Sequence, residues 1–258
     1  MRILLTNDDG VTSPGILTLA GSLRKAGHRV VVLAPESDQS GVSHSISFFR
    51  RPCKMTAVGE DTWSCGGSPV DCVVIGLLGG LPEVFTMPHS PPDMIISGIN
   101  RGANLGSDVV YSGTAAAARQ GSLFDIPSVA LSLIEGEEWH WDMAAGFAVE
   151  RLDEIKARWK PDSFVNVNIP NRREKPRALV HAFPSFRYYN DSIEIHHAPD
   201  GYRYCFARTG EITSRPEHGS DDAVTADGNA SVSEIYIHPV LLESVREREG
   251  DNDGKPAK

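Results

Sequence analysis

Several large classes of protein are excluded by what this sequence has little of. Only four cysteines occur in 258 residues, Cys53, Cys65, Cys72 and Cys205, and none forms a C-x-x-C pair. A disulfide scaffold of this length would carry more, so reduced thiols and a cytoplasmic location are expected. No apolar run approaches the ~20 residues needed to cross a bilayer, which leaves no expected membrane partner. The opening Met1-Arg2-Ile3-Leu4-Leu5 meets Asp8 and Asp9 too soon for a secretory signal, so the chain reads as soluble and unexported. Basic runs are also missing. With 34 acidic against 25 basic residues and a formal charge of −9, no positive stripe exists to track a nucleic-acid backbone, and a nucleic-acid polymer is not an expected partner. An acidic chain repels anionic ligands at long range, so a phosphate site here needs a metal ion or a local nest of donors.

What is present alternates between strand and helix. RILLT (2–6) is an apolar run suited to a buried parallel strand, and the next segment carries helical periodicity in Ile16, Leu19, Ala20 and Leu23. Ser13 and Pro14 start that helix, Gly27 stops it, and HRVVVLAP (28–35) is a second strand. These form one βαβ unit. Hairpin-like pieces at SISFFR and CKMTAVGEDTWSC fill an excursion over 46–66, followed by a helix from Pro69 to Gly80. DMIIS (93–97), IPSVALSL (126–133) and FVNVNIP (164–170) are further strands, separated by helices over 112–126 and 141–160. Such alternation predicts a doubly wound α/β fold with a mainly parallel sheet. The expected core is 1–183. Aromatic, β-rich text from 184 onward predicts a hairpin arm and C-terminal segment to 248, and residues 249–258 have the composition of a disordered tail.

Three polar clusters follow strands and therefore converge on one sheet edge, where ligands bind in open parallel sheets. They are TNDDG (6–10), PESDQSGVSHS (35–45) and SGINRGANLGSDVVYSGT (97–114). Asp8 and Asp9 are adjacent carboxylates whose charges would repel in a cleft unless a cation neutralised them. Hard divalent ions take oxygen ligands, and Ser40 and Asn100 offer a hydroxyl and an amide oxygen nearby. Asn7-Asp8-Asp9-Gly10 is equally a good turn sequence. Ser112, Gly113 and Thr114 open a helix, where free N–H groups and two hydroxyls suit a phosphate, although a plain N-cap has the same spelling. Asn104 can add a side-chain donor. His44 can move a proton or simply serve structure, and His196-His197, in the expected arm, is not expected to hold a metal. The glycine-rich loop is not a P-loop, and no G-x-S-x-G elbow marks a serine hydrolase.

LTNDDG, APESDQSGVSHS, SGINRGANLGSDVVYSGTAAAARQG and IPSVALSL together closely resemble the SurE family of metal-dependent nucleotidases. GGSPVDCV (66–73), with Ser68 where the family has Thr, VNVNIP, and SDDAVTADGNASVS (220–233) extend the likeness over most of residues 1–237. The resemblance implies a Rossmann-like core and one divalent ion per subunit, Mg²⁺, Mn²⁺ or Co²⁺, on Asp8, Asp9, Ser40 and Asn100. It implies phosphate contacts from Asn104, Ser112, Gly113 and Thr114, and hydrolysis of nucleoside 5′- or 3′-monophosphates, with short polyphosphate also taken by some members. It further implies a dimer or tetramer with a swapped C-terminal tail. Asp8 or Asp9 is the expected proton-transfer group. The alternative is a sensor that binds nucleotides in the same crevice without catalysis; a covalent aspartyl-phosphate route fits less well, because it uses an Asp-x-Asp spacing.

Overall fold

The computed structural model describes residues 1–81, 84–85, 87–215 and 217–239. The tail at 249–258 and the end of the expected C-terminal segment, 240–248, lie outside the described residues.

The first strand, β1 (Arg2–Thr6), is buried on both faces, as its unbroken apolar sequence requires of a central parallel strand. Ile3 and Leu5 enter one hydrophobic cluster and Leu4 the other, following the two-residue alternation of a strand. Helix α1 (Pro14–Lys25) turns Ile16, Leu19, Ala20 and Leu23 inward. Ser13 stands at its cap position, but its hydroxyl accepts from Asn7 Nδ2 at 2.8 Å instead of from a helix N–H. The strand exit and the helix start are thereby tied together. β2 (Arg29–Pro35) completes the unit, parallel to β1.

The excursion expected over 46–66 belongs to the main sheet. SISFFR forms turns, whereas β3 (Met55–Gly59) and β4 (Thr62–Cys65) make an antiparallel hairpin, and β4 pairs parallel with β2. Helix α2 (Pro69–Ile75) begins with a capping box in which Ser68 and Asp71 satisfy each other's backbone N–H groups. It ends sooner than the expected Gly80, in a π-helical turn over Gly76–Gly80 where Gly79 adopts a φ of 115°. β5 (Met94–Arg101), α3 (Gly113–Ser122), β6 (Ser128–Leu133), α4 (Trp141–Glu150), α5 (Leu152–Arg158) and β7 (Ser163–Ile169) follow. The helix expected over 141–160 is broken at Arg151, and both pieces keep their apolar residues, Phe147, Leu152 and Ile155, in the same cluster.

Beyond β7 come β8 (Leu179–His181), β9 (Arg187–Tyr189), β10 (Ser192–His197), β11 (Arg203–Arg208), β12 (Ile212–Ser214), α6 (Asp221–Ala226) and β13 (Ala230–Tyr236). The central sheet has the order β3-β4-β2-β1-β5-β6-β7-β13-β8. β4 through β7 run parallel, and β13 runs antiparallel to β7. The sheet thus extends past residue 183, because Ala230 and Val232 bury their side chains in the same core as Val165 and Val167. The arm proper is β9 to β12: β10 pairs with β11, and β12 with β9. The class is α/β with a C-terminal hairpin arm, as the sequence predicts. No helix among the described residues is long and apolar enough to cross a membrane.

Candidate active site

Connections from β1 run to one side of the sheet and those from β5 to the other, so the carboxyl ends of β1 and β5 flank the switch point. The chain leaves β1 through Asn7, Asp8 and Asp9. Asn7 is fully buried and donates to the Gly10 carbonyl at 2.9 Å, which folds this exit into a turn. The turn reading of the sequence is therefore correct, and it is also what presents the carboxylates. Asp8 is only 3% exposed and faces the start of α3, where Thr114 donates its backbone N–H to Oδ2 at 2.9 Å and its hydroxyl to Oδ1 at 2.5 Å. Burial raises the Asp8 pKa above the usual carboxylate value, and the Thr114 bonds oppose that shift. Asp9 accepts from the Arg101 N–H at 3.0 Å, and burial, then the charge of Asp8, push its pKa up to about 6.

Gly113 permits this approach: a Cβ there would lie 2.9 Å from Asp8 Cβ and 3.1 Å from Pro69 Cγ. Gly98, at a φ of 131°, is similarly required, since a Cβ would come within 2.3 Å of the Leu131 carbonyl. The register of β5 against β6 shifts between Ser97 and Asn100, which offsets the strand end that carries Asn100.

A cavity of about 720 Å³ opens at this edge, within the size range of small-molecule sites. Asp8, Ser40, Asn100, Asn104 and Ser112 line it, brought together from the exits of three strands, β1, β2 and β5. Ser40 donates its hydroxyl to Asp38 at 2.6 Å, and Asn100 donates Nδ2 to the Gly102 carbonyl at 2.9 Å. The loop bearing Ser40 is fixed to the first by a bond from Gln39 N–H to the Asp8 carbonyl at 2.7 Å. Ser112 accepts from the Ala115 N–H at 3.0 Å, so it caps α3 while lining the cavity. Gly113 and Thr114 lie behind Asp8 and are not part of the cavity wall. Asp9 faces a neighbouring hollow with Asp38, Arg101, Trp139 and Trp141. His44 is elsewhere, bonded through Nε2 to Gln120 Oε1 at 2.9 Å, and burial lowers its pKa.

A cation is consistent with this donor set. Asp8 shares the cavity wall with a hydroxyl and an amide, and Asp9 is its chain neighbour; all are hard oxygens of the kind Mg²⁺ or Mn²⁺ prefers. The described residues contain no group of three or more His, Cys, Asp or Glu side chains placed to hold a metal, so neutral oxygens would have to complete the shell.

Sequence reading missed the supports. Asn168 accepts from the Asn104 N–H at 2.8 Å and donates to the Asn104 carbonyl at 3.1 Å; Asn166 donates to the same carbonyl at 2.9 Å. Asn104 Nδ2 in turn donates to Ser132 Oγ at 2.8 Å. The signal was visible in VNVNIP, because an amide in a fully buried strand needs a partner. Also missed was the wall supplied by the arm. Tyr189 lines the cavity and donates to Asp108 Oδ1 at 2.5 Å, while Arg187 pairs with Asp108 at 3.2 Å. Asp108 has a raised pKa, chiefly from burial. Those contacts join residues 81 and 79 positions apart and leave no local pattern.

The fold and cavity define a class: an α/β protein with a cavity of small-ligand size at its switch point, walled in part by one of two adjacent carboxylates. Comparison with known proteins narrows it. The family model described as "Survival protein SurE" matches residues 3–189. A Geotalea daltonii protein named "5'-nucleotidase SurE" is 36% identical over 240 residues, covering 92% of this chain and 93% of that one. A Xanthomonas campestris pv. campestris protein of the same name is 44% identical over 174 residues, 66% of this chain and 64% of that one. The crystal structure of the SurE protein from Aquifex aeolicus superposes with a TM-score of 0.79 at 33% identity, over 96% of this chain and 100% of that one. The chain belongs to the SurE family.

Proposed function

We propose that this chain is a 5′-nucleotidase that hydrolyses nucleoside monophosphates with the help of one divalent cation held by Asp8, Asp9, Ser40 and Asn100. Curated relatives carry the name 5'-nucleotidase, which supports the activity. The observation that carries the cation is Asp8: a nearly buried carboxylate, gripped by Thr114, beside a second carboxylate of raised pKa at the edge of the cavity. A bound dication would neutralise the phosphoryl charge and lower the cost of forming the attacking oxygen. The chain's own part is positioning. Thr114 orients Asp8, the Asn166–Asn168 pair fixes the backbone of Asn104, and Ser112 faces the phosphate from the start of α3. Asp9 is the candidate proton-transfer group; in the metal-free chain its pKa is pushed up to about 6, and a dication bound to it would lower that value.

Phosphate release tests this reading, measured on 5′- and 3′-monophosphates and polyphosphate with Mg²⁺, Mn²⁺, Co²⁺ or a chelator. The expected outcome is release from 5′-monophosphates that the chelator abolishes. Asp8→Asn and Asp9→Asn should each lower turnover by more than about a hundredfold while leaving the circular dichroism spectrum unchanged. Tight nucleotide binding with no release would favour a sensor.

We also propose self-association through the arm. β10 and β11 expose Ile193, Ile195, Tyr204 and Phe206, and an isolated two-stranded ribbon gains little stability alone.

A further inference from the structure

The cavity is acidic for a site that takes a phosphate. Asp8, Asp108, Glu135 and Asp191 line it, and among the described residues Arg101 is the only cation that does so. A dianionic monoester approaching a chain of charge −9 meets repulsion, and beside the proposed dication this one guanidinium is the protein's own positive charge against it.

Arg101 is held for that task. Its backbone N–H is fixed on Asp9 at 3.0 Å, and its guanidinium carbon lies 5.3 Å from the centre of the Trp139 ring. Trp139 is itself stacked on Trp141, with ring centres 5.0 Å apart and planes 8° from parallel. The indole pair fixes one face of the guanidinium without using its N–H groups, and these donate to no described residue. Arg101 also lines the adjacent hollow of about 530 Å³ that contains Asp9 and Asp38. The side chain thus stands between both openings, beside a proposed metal ligand.

We propose that Arg101 contacts the oxygens of the incoming phosphate monoester, donating its N–H fork to them, and that Trp139 is its positioning residue. A guanidinium suits this role because its planar fork matches two phosphate oxygens, and stacking on an indole removes part of the entropy it would otherwise lose on binding. The inference rests on the phosphatase reading of the same cavity and adds the residue that recruits the substrate.

The test uses the Mn²⁺-loaded full chain and the variants R101Q, R101K, W139L and W139F. Inorganic phosphate binding is read by calorimetry, and kcat and KM are read on p-nitrophenyl phosphate and a nucleoside 5′-monophosphate at low and high salt. Expected for R101Q are phosphate binding weakened and KM raised by roughly tenfold or more, with the loss falling mainly on KM and with a flatter salt dependence. R101K should recover part of the affinity, W139L should lose part of it, and W139F should restore it. Phosphate affinity and KM of R101Q within about twofold of wild type would overturn the inference. Wild-type protein that binds phosphate through Arg101 yet releases none from any monophosphate would sink the nucleotidase reading and leave this one standing.

Discussion

Thr114 gives both its N–H and its hydroxyl to Asp8, so one residue at the start of α3 fixes the carboxylate central to the proposed metal site. Thr114→Val removes the hydroxyl bond and should cost about 1.5–3 kcal/mol of stability, the usual worth of a bond to a charged group. Thr114→Ser should cost much less; denaturant melts of the two variants check this. Gly113→Ala drives a methyl against Asp8 and Pro69 and should lower both stability and metal affinity. Asp9 sets a pH dependence in the metal-free chain. Its pKa is raised from 3.8 to about 6, so between those values the folded chain holds a proton that the unfolded chain has released. Stability from this group is complete below the lower value and is lost as pH rises through about 6. The Tm of chelated protein should fall across that window, and Asp9→Asn should remove that part of the slope. The carboxylates were legible because adjacent Asp residues at the carboxyl end of a buried strand repel each other unless a cation intervenes. The use of Thr114 was not, since a hydroxyl at a helix start reads alike whether it faces a phosphate or a buried carboxylate.

At the scale of elements, β7 supports the site from the far side of β6. Asn168 and Asn166 point amides at the Asn104 backbone from positions that hydrophobic patterning would fill with Val or Leu. Asn168→Ala leaves the buried Asn104 N–H without its side-chain partner, while the carbonyl keeps Asn166, and should cost about 1–3 kcal/mol. Its KM should rise more than its kcat falls, because Asn104 is the group displaced; steady-state kinetics on a monophosphate separates the two. Strands β1, β2, β5, β6 and β7 were legible as apolar runs ending in polar loops. The hairpin at β3 and β4 was visible, but its place on the sheet edge was not, because pairing with β2 depends on residues outside the hairpin. Arg151 gave no sign of breaking its helix, having neither a proline nor a glycine beside it.

For the whole molecule, the strand order decides where chemistry happens. Placing β1 beside β5 brings Asp8 and Asn100 to one edge although 92 positions separate them, and the arm returns from beyond β8 to close the cavity with Tyr189. That closure sets the proposed interface beside the proposed catalytic centre. Replacing Ile195 and Phe206 together with Ser should reduce the oligomer in light scattering while preserving the fold of the central sheet, and a monomeric wild type would refute the proposed interface. The central claim is that Asp8 and Asp9 tolerate each other because a dication joins them. Its most direct test is Mn²⁺ calorimetry on chelator-treated protein. The account predicts one site per chain, restored phosphate release at saturation, and loss of both in Asp8→Asn. Phosphate release that persists in chelator, with no Mn²⁺ bound by the wild type, would contradict it.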